Sequence, residues 1–333
     1  MSDNSQQLVA KRKQSIFSIL IRKRSLTMFI LFIIILIIFS IASDGLMLDR
    51  RNLMNILNMM AVSAFLAAGV AVLMISGRLD LSTGANGTLC GIFLAYILRA
   101  GLPLFPAIIL TLILGLIVGY VNGVLVNELN MAPFIATLAT SSIATGFVIM
   151  IGQRRIIPVL HPFLVSYGSH MLFGYIPVSA LFAFALMAIL GIILHKTKFG
   201  RQIYIVGGNP QAAKLSGINP KKMSYILFMI CGLFASIAGI TLVSRLQSAN
   251  MQGLVAQRFQ GIIAAVLGGI SFGGGTGGMG GTFIGLLVLN TFTNGMTVTG
   301  IGAYWQHVAS GTLLIFALTL EYFQVKQSQK ILA

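Results

Sequence analysis

Apolar runs that alternate with short polar stretches limit what this chain can fold into. Most of these runs approach the roughly 20 residues that a helix needs to cross the hydrocarbon layer of a bilayer. They are approximately Leu26–Ala42, Leu53–Ile75, Thr83–Leu98, Phe105–Val126, Pro133–Ile151, Ile176–Leu194, Tyr225–Val243, Phe259–Ile270, Thr282–Thr299 and Trp305–Leu320. We therefore expect an all-α, polytopic membrane protein with about ten transmembrane helices, among which broken or re-entrant helices are an option.

The composition excludes a soluble fold. Hydrophobic residues make up 57% of the chain and charged residues 8%, whereas a soluble domain carries about 25% charged residues. So few charges cannot cover a water-exposed surface. We expect a tail at 1–24, one membrane domain at 25–323 and a second tail at 324–333. The first apolar run is expected to be an uncleaved helix, because no small-residue cleavage site follows it.

The distribution of basic residues predicts the orientation. The net charge is +16, which can indicate a nucleic-acid partner, but these charges lie between apolar runs. With both termini inside, fifteen basic residues are cytoplasmic: Lys11, Arg12, Lys13, Arg22, Lys23, Arg24, Arg78, Lys196, Lys198, Arg201, Lys214, Lys221, Lys222, Lys326 and Lys330. Seven are outside: Arg50, Arg51, Arg99, Arg154, Arg155, Arg245 and Arg258. The positive-inside rule favours this arrangement and predicts no nucleic-acid partner.

No catalytic or metal-binding pattern stands out. Cys90 and Cys231 both fall within apolar runs, which predicts buried free thiols. His161 and His170 are too far apart in sequence, and too short of other ligands, to indicate a metal site. We therefore expect no metal, no catalytic residues and no enzyme activity.

The longest polar, basic stretch between apolar runs is Phe199–Gly217. Its middle predicts a short helix, because Asn209 is a good N-cap, Pro210 suits the first helical position and Gly217 favours the end. A capped helix on a positively charged loop is suited to bind a partner outside the membrane. The alternative is an ordinary loop with one helical turn.

Several motifs carry a family resemblance. They are Phe199-Gly-Arg201, Gly207-Gly-Asn-Pro-Gln-Ala-Ala-Lys-Leu-Ser-Gly217, Leu79-Asp-Leu-Ser82 with Gly84, Leu267-Gly-Gly-Ile-Ser-Phe-Gly-Gly-Gly-Thr-Gly277 and Tyr304-Trp-Gln306. Together, and nearly from end to end, they resemble the permease subunits of bacterial ABC importers for monosaccharides of the ribose, galactose, arabinose and xylose type. One departure is Gly77-Arg78-Leu79, because the family usually has a glycine pair before Asp-Leu-Ser. Arg78 either pairs with Asp80 or alters the role of that residue.

The resemblance implies a coupling loop at 196–222 whose short helix docks on a separate ATPase. The docking residues it implies are Gly208, Asn209, Pro210, Gln211, Ala212, Ala213, Lys214, Leu215, Ser216 and Gly217. It further implies an extracytoplasmic sugar-binding protein, a second permease copy in a homodimer or heterodimer, and a location in the bacterial cytoplasmic membrane, in contact with lipid. This chain would bind no cofactor, and ATP and Mg²⁺ would bind to the partner ATPase.

Polar residues in or beside the apolar runs are candidates for the translocation path: Asp80, Ser82, Asn86, Thr137, Thr140, Asn290 and Asn294. Amides and hydroxyls suit a neutral polar cargo. Each also has a purely structural explanation. Asp80 and Ser82 suit a helix start, and a threonine hydroxyl can bond to its own helix backbone. Both interpretations stay open at this stage.

Glycines predict close packing in two places. Gly115, Gly119 and Gly123 recur every four residues, which lets another helix approach closely. Ser271–Gly281 contains no lysine, and the next one is Lys326, so a phosphate-binding loop is excluded. We expect a tight bend there, with a break within the membrane as one form of it.

The chain has no nucleotide-binding motif and few ionisable groups near its apolar runs, so energy for transport must come from another chain. A proton-driven carrier usually places ionisable groups inside the membrane. The main hypothesis is the permease of an ATP-driven sugar importer. The alternatives are an ABC permease for another small solute, such as an autoinducer furanose, a nucleoside or a branched-chain amino acid, and a secondary carrier that acts alone.

Overall fold

The computed structural model describes residues 24–332. The predicted tail at 1–24 therefore lies outside the described residues except for Arg24, where the first helix begins. The helix that ends the chain runs through most of the predicted tail at 324–333.

Almost all regular structure in this range is helical. The helices are α1 Arg24–Ala42, α2 Arg50–Ile75, α3 Thr83–Arg99, α4 Leu104–Asn127, α5 Pro133–Gly152, α6 Pro162–Ser169, α7 Val178–Lys196, α8 Lys198–Gly208, α9 Pro210–Leu215, α10 Pro220–Leu246, α11 Gln260–Leu267, α12 Met279–Val298 and α13 Ala303–Leu332. The strands are β1 Ile157–Pro158, β2 Met171–Leu172, β3 Ile176–Pro177 and β4 Ser248–Ala249. Short 3₁₀ helices occupy Leu46–Leu48 and Val255–Gln257.

The prediction of a polytopic helical membrane protein is confirmed, but the count of ten spans is not. Each predicted run falls within or overlaps a helix, and five helices, α2, α4, α5, α7 and α10, are long and apolar enough to cross a membrane. By contrast, α11 has eight residues. At about 1.5 Å per residue it is roughly 12 Å long, well short of the hydrocarbon thickness of about 30 Å.

Helix α10 lies at the centre of the bundle and packs against α2, α3 and α4. Glycines make the closest approaches. A Cβ on Gly232 would lie 2.2 Å from the carbonyl oxygen of Gly115 in α4, and one on Gly239 would lie 2.1 Å from that of Gly87 in α3. Backbone therefore packs directly on backbone, as is common where packing rather than the hydrophobic effect drives helix association.

The helices run between two ends of the bundle, which we call the α9 face and the opposite face. At the α9 face, Gly207 contacts the end of α2 at Ile75. At the opposite face, the Arg50 side chain at the start of α2 donates a 2.7 Å hydrogen bond to the carbonyl oxygen of Gly174.

The segment 153–175 lies between two of the apolar runs, and it contains more structure than a simple loop. It holds α6 and parts of two antiparallel pairings, β1 with β4 and β2 with β3. The Tyr167 hydroxyl lies 3.1 Å from Thr241 Oγ1 of α10, and Gly168 packs against the carbonyl of Ser244. These contacts hold the segment against α10 at the opposite face.

Candidate functional site

The predicted capped helix is present as α9. Asn209 Oδ1 accepts hydrogen bonds from the N–H groups of Gln211 and Ala212, both at 3.0 Å. Pro210 occupies the first helical position. Gly217 follows with a φ of +78°, in the left-handed region that favours glycine after a helix. The local signals in the sequence were therefore sufficient to place this helix.

Helix α9 packs against the rest of the protein through one buried residue, Ala213, and its other side chains are exposed. Leu215 is 91% exposed, the largest exposed fraction among the large apolar side chains that the structure describes. Lys214 adds a positive charge beside it. The helix thus presents an apolar side chain and a cation away from the bundle, and this suits the docking role implied by the resemblance, which stays a prediction.

Helix α8, directly before α9, was not predicted. Thr197 caps it, because the Thr197 hydroxyl oxygen accepts a 3.1 Å hydrogen bond from the N–H of Gly200. Ile203 and Val206 are buried, and Arg201 is exposed. Apolar residues at helical spacing were visible in the sequence, but the charges around them made the stretch look like a loop.

Three backbone segments meet where α8 ends, and we call this meeting point the glycine junction. It consists of Ile75–Gly77, Gly207–Gly208 and Gly274–Gly275. The N–H of Gly275 donates a 2.8 Å hydrogen bond to the carbonyl oxygen of Ile75. A Cβ on Gly207 would lie 1.9 Å from that oxygen, and one on Gly274 would lie 2.6 Å from the Gly77 nitrogen. No side chain fits between the three segments.

Tyr204 of α8 makes a second connection to the glycine-rich segment. Its hydroxyl donates a 2.7 Å hydrogen bond to the carbonyl oxygen of Gly277. Its ring stacks on His195, with ring centroids 6.3 Å apart. Burial raises the pKa of the Tyr204 hydroxyl; an ordinary tyrosine is already protonated at neutral pH, so this hydroxyl can donate.

The turn between α2 and α3 is fixed by a buried polar network around Asp80. Asp80 Oδ1 accepts from the N–H of Ser82 at 2.7 Å and from its hydroxyl at 2.6 Å. Asn122 of α4 donates to Asp80 Oδ2 at 3.2 Å and to Ser82 Oγ at 2.9 Å. The Thr140 hydroxyl of α5 donates to Asn122 Oδ1 at 2.6 Å.

The network extends to a second threonine, since the Thr137 hydroxyl accepts a 3.1 Å hydrogen bond from the N–H of Leu81. Asp80 therefore orders the turn before α3, and it does not cap the helix itself: the N-cap position belongs to Ser82. Asn122 was missing from the predicted site. The available signal was an amide inside the apolar run of α4, because such a polar group in a membrane needs partners.

Arg78 does not pair with Asp80. Its guanidinium donates a 2.8 Å hydrogen bond to Asn127 Oδ1 and another to the Ser224 hydroxyl. Among the side chains that the structure describes, the only ion pair joins Lys221 and Glu128, at 3.4 Å. The arginine that departs from the family pattern thus connects the α2–α3 turn to the end of α4 and the start of α10.

A cleft of about 470 Å³ opens at the α9 face beside the glycine junction. The turn that carries Arg78 forms one wall, the α4–α5 connection at Asn130 and Met131 another, and Val206 and Pro210 a third. It therefore lies between the turn ordered by Asp80 and the start of α9.

The other predicted path residues lie elsewhere. Asn290 accepts a 3.2 Å hydrogen bond from the Ser63 hydroxyl, and Asn294 accepts a 2.9 Å bond from the side-chain amide of Asn52. The Asn294 amide nitrogen is buried without a partner. Asn86 accepts only a weak bond, 3.4 Å, from the Cys90 thiol. All seven predicted path residues are buried within this chain, and their role in transport stays a prediction.

The glycines predicted to pack helices all face α10. A Cβ on Gly115 would lie 2.6 Å from the carbonyl oxygen of Gly232, and one on Gly119 would lie 2.3 Å from that of Phe228. A Cβ on Gly123 would lie 2.7 Å from the ring of Tyr225. Cys90 and Cys231 are buried and free, as predicted.

Comparison with known proteins gives one family and several relatives. Residues 52–318 match the family model described as the permease component of branched-chain amino acid transport systems. The chain is 35% identical to the ribose import permease protein of Bacillus subtilis, over 95% of this chain and 98% of that protein. No solved structure matched the chain.

Two further relatives carry other sugar names. The chain is 31% identical to the galactose/methyl galactoside import permease protein of Haemophilus influenzae, over 94% of this chain and 97% of that protein. It is 32% identical to the xylose transport system permease protein of the same organism, over 88% of this chain and 95% of that protein.

Proposed function

Because the chain belongs to a family of transport-system permease components, and because it is related to ribose, galactose and xylose import permeases, we propose that it carries a sugar across the bacterial cytoplasmic membrane. It is a membrane-embedded transport component of an ABC importer. A separate cytoplasmic ATPase would supply the energy, and an extracytoplasmic binding protein would deliver the cargo. Family membership favours this function over a secondary carrier that acts alone.

A sugar is the cargo that the relatives support best. Their printed names specify ribose, galactose or methyl galactoside, and xylose. The family description names branched-chain amino acids, so an amino acid is the second candidate. Uptake of labelled ribose, galactose, xylose and leucine by the reconstituted importer distinguishes the two. Leucine uptake without sugar uptake would replace the sugar by the amino acid.

The observation that carries the proposal is the exposed helix α9. Its apolar side chain Leu215, 91% exposed, and the neighbouring Lys214 point away from the bundle. We assign α9 to the cytoplasmic side, where its surface would insert into a groove of the ATPase. The excess of basic residues on this side supports the orientation.

Movement of α9 would reach the membrane interior through contacts in this chain. Helix α8 continues directly into α9, and it touches the end of α2 and the glycine-rich segment at the glycine junction. The end of α2 leads into the turn ordered by Asp80. When ATP draws the two ATPase subunits together, each α9 would move with its ATPase. The α2–α3 turn of each permease copy would shift with it.

Two permease copies would form the path for the cargo between them. The predicted path residues offer amides and hydroxyls, which suit a neutral sugar that needs only weak contacts once the binding protein has delivered it. Among these residues, Asn294 has a buried amide nitrogen without a hydrogen-bond partner. A sugar hydroxyl, or a polar group on a helix that moves, would supply the missing hydrogen bond.

Co-purification with the ATPase tests the proposal. The informative variant combines Ala212→Asp with Leu215→Asp, because both side chains are exposed on α9. Ala213 is buried, so changing it would damage the permease itself. Leu160→Asp is the matched control, since Leu160 is 70% exposed and lies near β1, at the opposite face.

We expect wild type and the Leu160→Asp control to retain the ATPase and the double variant to lose it, with all three inserted equally in the membrane. Retention of the ATPase by the double variant would remove α9 from the docking surface. Failure of the wild-type chain to bind any ATPase would overturn the importer function as a whole.

A further inference from the structure

Arg78 and its neighbour Gly77 attach the α2–α3 turn to two different parts of the protein. Gly77 belongs to the glycine junction, where a Cβ on Gly274 would lie 2.6 Å from the Gly77 nitrogen. The Arg78 guanidinium donates a 2.8 Å hydrogen bond to Asn127 at the end of α4 and another to Ser224 at the start of α10. One peptide bond therefore separates a contact with the glycine-rich segment from a contact with the α4–α10 pair.

The α4–α10 pair does not depend on Arg78. A Cβ on Gly119 of α4 would lie 2.3 Å from the carbonyl oxygen of Phe228 in α10, so the two helix backbones are in direct contact. The side-chain amide of Asn127 also donates a 3.0 Å hydrogen bond to the Ser224 hydroxyl oxygen. These contacts stay when the Arg78 side chain is removed. What Arg78 adds is the attachment of the turn to the pair.

The bonds of Arg78 are made to neutral oxygens. Of the carboxylates that the structure describes, none pairs with it: Asp80 bonds to other side chains, and Glu128 pairs with Lys221. Separating a buried ion pair is costly because an uncompensated charge is left behind. Arg78 avoids that cost, because it is half-buried and lines the cleft of about 470 Å³, where water can solvate the guanidinium once its bonds open.

The two attachments of the turn oppose each other when α9 moves. In the proposed importer, movement of α9 reaches the turn through the glycine junction, which contains no residue of α4 or α10. The turn cannot follow α9 while Arg78 holds it to these two helices. A hydrogen bond that exists in only one of two conformations shifts the population toward that conformation, so the bonds of Arg78 resist the movement.

We propose that Arg78 is a positioning residue, which keeps the α2–α3 turn in the position described above until the sugar-loaded binding protein and ATP act together on the importer. This inference rests on the proposed importer function. The bonds to Asn127 and Ser224 open when the turn shifts with α9, and they form again when α9 returns after ATP hydrolysis. Arg78 thereby limits ATP hydrolysis in the absence of cargo.

The test measures ATP hydrolysis by the permease–ATPase complex in proteoliposomes, with and without the sugar-loaded binding protein of the same importer. Arg78→Met is the test variant, because it keeps a long side chain and removes the donors. Arg78→Lys keeps the charge on a single nitrogen. Tyr225→Phe is the matched control. The Tyr225 hydroxyl donates a 3.1 Å hydrogen bond to Glu128, which joins α10 to the end of α4 on the same face and does not touch the turn.

We expect hydrolysis without the binding protein to rise about threefold to tenfold in Arg78→Met, because hydrogen bonds from a charged donor are lost. Hydrolysis at saturating binding protein should change less than about twofold. Stimulation by the binding protein therefore falls. Arg78→Lys should give a smaller rise and Tyr225→Phe none. A purely structural role of Arg78 would instead lower both rates, together with the temperature of thermal unfolding.

Unchanged or lower hydrolysis without the binding protein in Arg78→Met would overturn the proposal. An equal rise in Tyr225→Phe would do so too, since it would assign the effect to the contact between α4 and α10. If wild type binds no ATPase, or shows no hydrolysis stimulated by the binding protein, the importer function and this inference fail together. If wild type imports sugar and Arg78→Met hydrolyses ATP as wild type does, only the role of Arg78 is rejected.

Discussion

The Tyr204 hydroxyl donates a 2.7 Å hydrogen bond to the carbonyl oxygen of Gly277 across 73 positions of sequence. This bond joins the helix that precedes α9 to the glycine-rich segment before α12. It is the side-chain complement of the backbone contacts at the glycine junction. The surface that would meet an ATPase is thereby connected to the segments that enter the membrane.

Removing this hydrogen bond should reduce transport without reducing ATPase binding. In Tyr204→Phe the ring and its stacking on His195 stay, and only the hydroxyl is lost. A neutral hydrogen bond contributes about 0.5–1.5 kcal/mol, so we expect sugar taken up per ATP hydrolysed to fall roughly two- to tenfold. The measurement is parallel uptake and phosphate release in proteoliposomes.

Tyr225→Phe is the control for this change. The Tyr225 hydroxyl donates a 3.1 Å hydrogen bond to Glu128 on the same face, but it does not touch the glycine junction. It should leave the ratio of transport to hydrolysis unchanged. If both variants lower that ratio equally, or if neither does, Tyr204 has no special part in coupling.

A methyl group at Gly207 should break the glycine junction. The new Cβ would lie 1.9 Å from the carbonyl oxygen of Ile75, whereas a Cβ on Gly280, at the start of α12, would meet nothing within 4 Å. Gly207→Ala should therefore abolish most uptake, and Gly280→Ala should retain it. ATPase co-purification and uptake are measured for both, and equal uptake by the two variants would contradict a role for the junction.

The apolar runs and local capping signals were enough to predict the long apolar helices and the position of α9, but not α6. They did not predict α8, because charged residues interrupt its apolar residues and made the stretch look like a loop despite the helical spacing. Helix α11 was predicted as a short run, but its eight residues show that an apolar run need not be a full span.

The contacts of the site were harder to predict than its helices. Arg78 and Asp80 are two positions apart, which suggested that Arg78 pairs with Asp80 or alters its role. Arg78 instead bonds to Asn127 and Ser224, and Asp80 bonds to Ser82 and to the distant Asn122. The glycine junction depends on three segments that meet only in the folded chain. Sequence indicated that these glycines matter for packing, but it contained no information about which backbone each one touches.

Asn122→Ala should destabilise the fold, because the side chain of Asn122 bonds to Asp80, Ser82 and Thr140 at once. Ser82 and Thr140 keep other hydrogen bonds, so the loss falls mainly on the buried carboxylate of Asp80, and an unsatisfied buried group costs about 1–3 kcal/mol. Partners in the unfolded membrane-inserted state reduce that figure, so we expect a net loss of about 1–2 kcal/mol, measured by thermal unfolding in detergent.

Asn58→Ala is the control for that experiment. The Asn58 side-chain oxygen is buried without a hydrogen-bond partner, so its removal should leave stability equal or slightly higher. Equal losses in the two variants would mean that any asparagine in these helices has the same effect, and that the network around Asp80 is not what orders the turn.

The last prediction concerns the packing of α4 on α10, where the glycines of α4 lie against the backbone of another helix. A Cβ on Gly119 would lie 2.3 Å from the carbonyl oxygen of Phe228, so Gly119→Ala must push the helices apart and should cost about 1–3 kcal/mol. Gly146 lies in α5 with nothing within 4 Å. There the same change should be neutral or stabilise by up to about 1 kcal/mol, because alanine is the better helix former.

Both changes can be followed with a thiol-reactive dye, because Cys90 and Cys231 are buried and free and become reactive when the bundle opens. We expect the labelling midpoint to fall in temperature for Gly119→Ala and to stay level or rise for Gly146→Ala. A level midpoint for Gly119→Ala would show that α4 and α10 adjust without loss. The glycine row stabilises the bundle only if moving α4 away from α10 costs free energy. The difference in labelling midpoint between the two variants measures that cost.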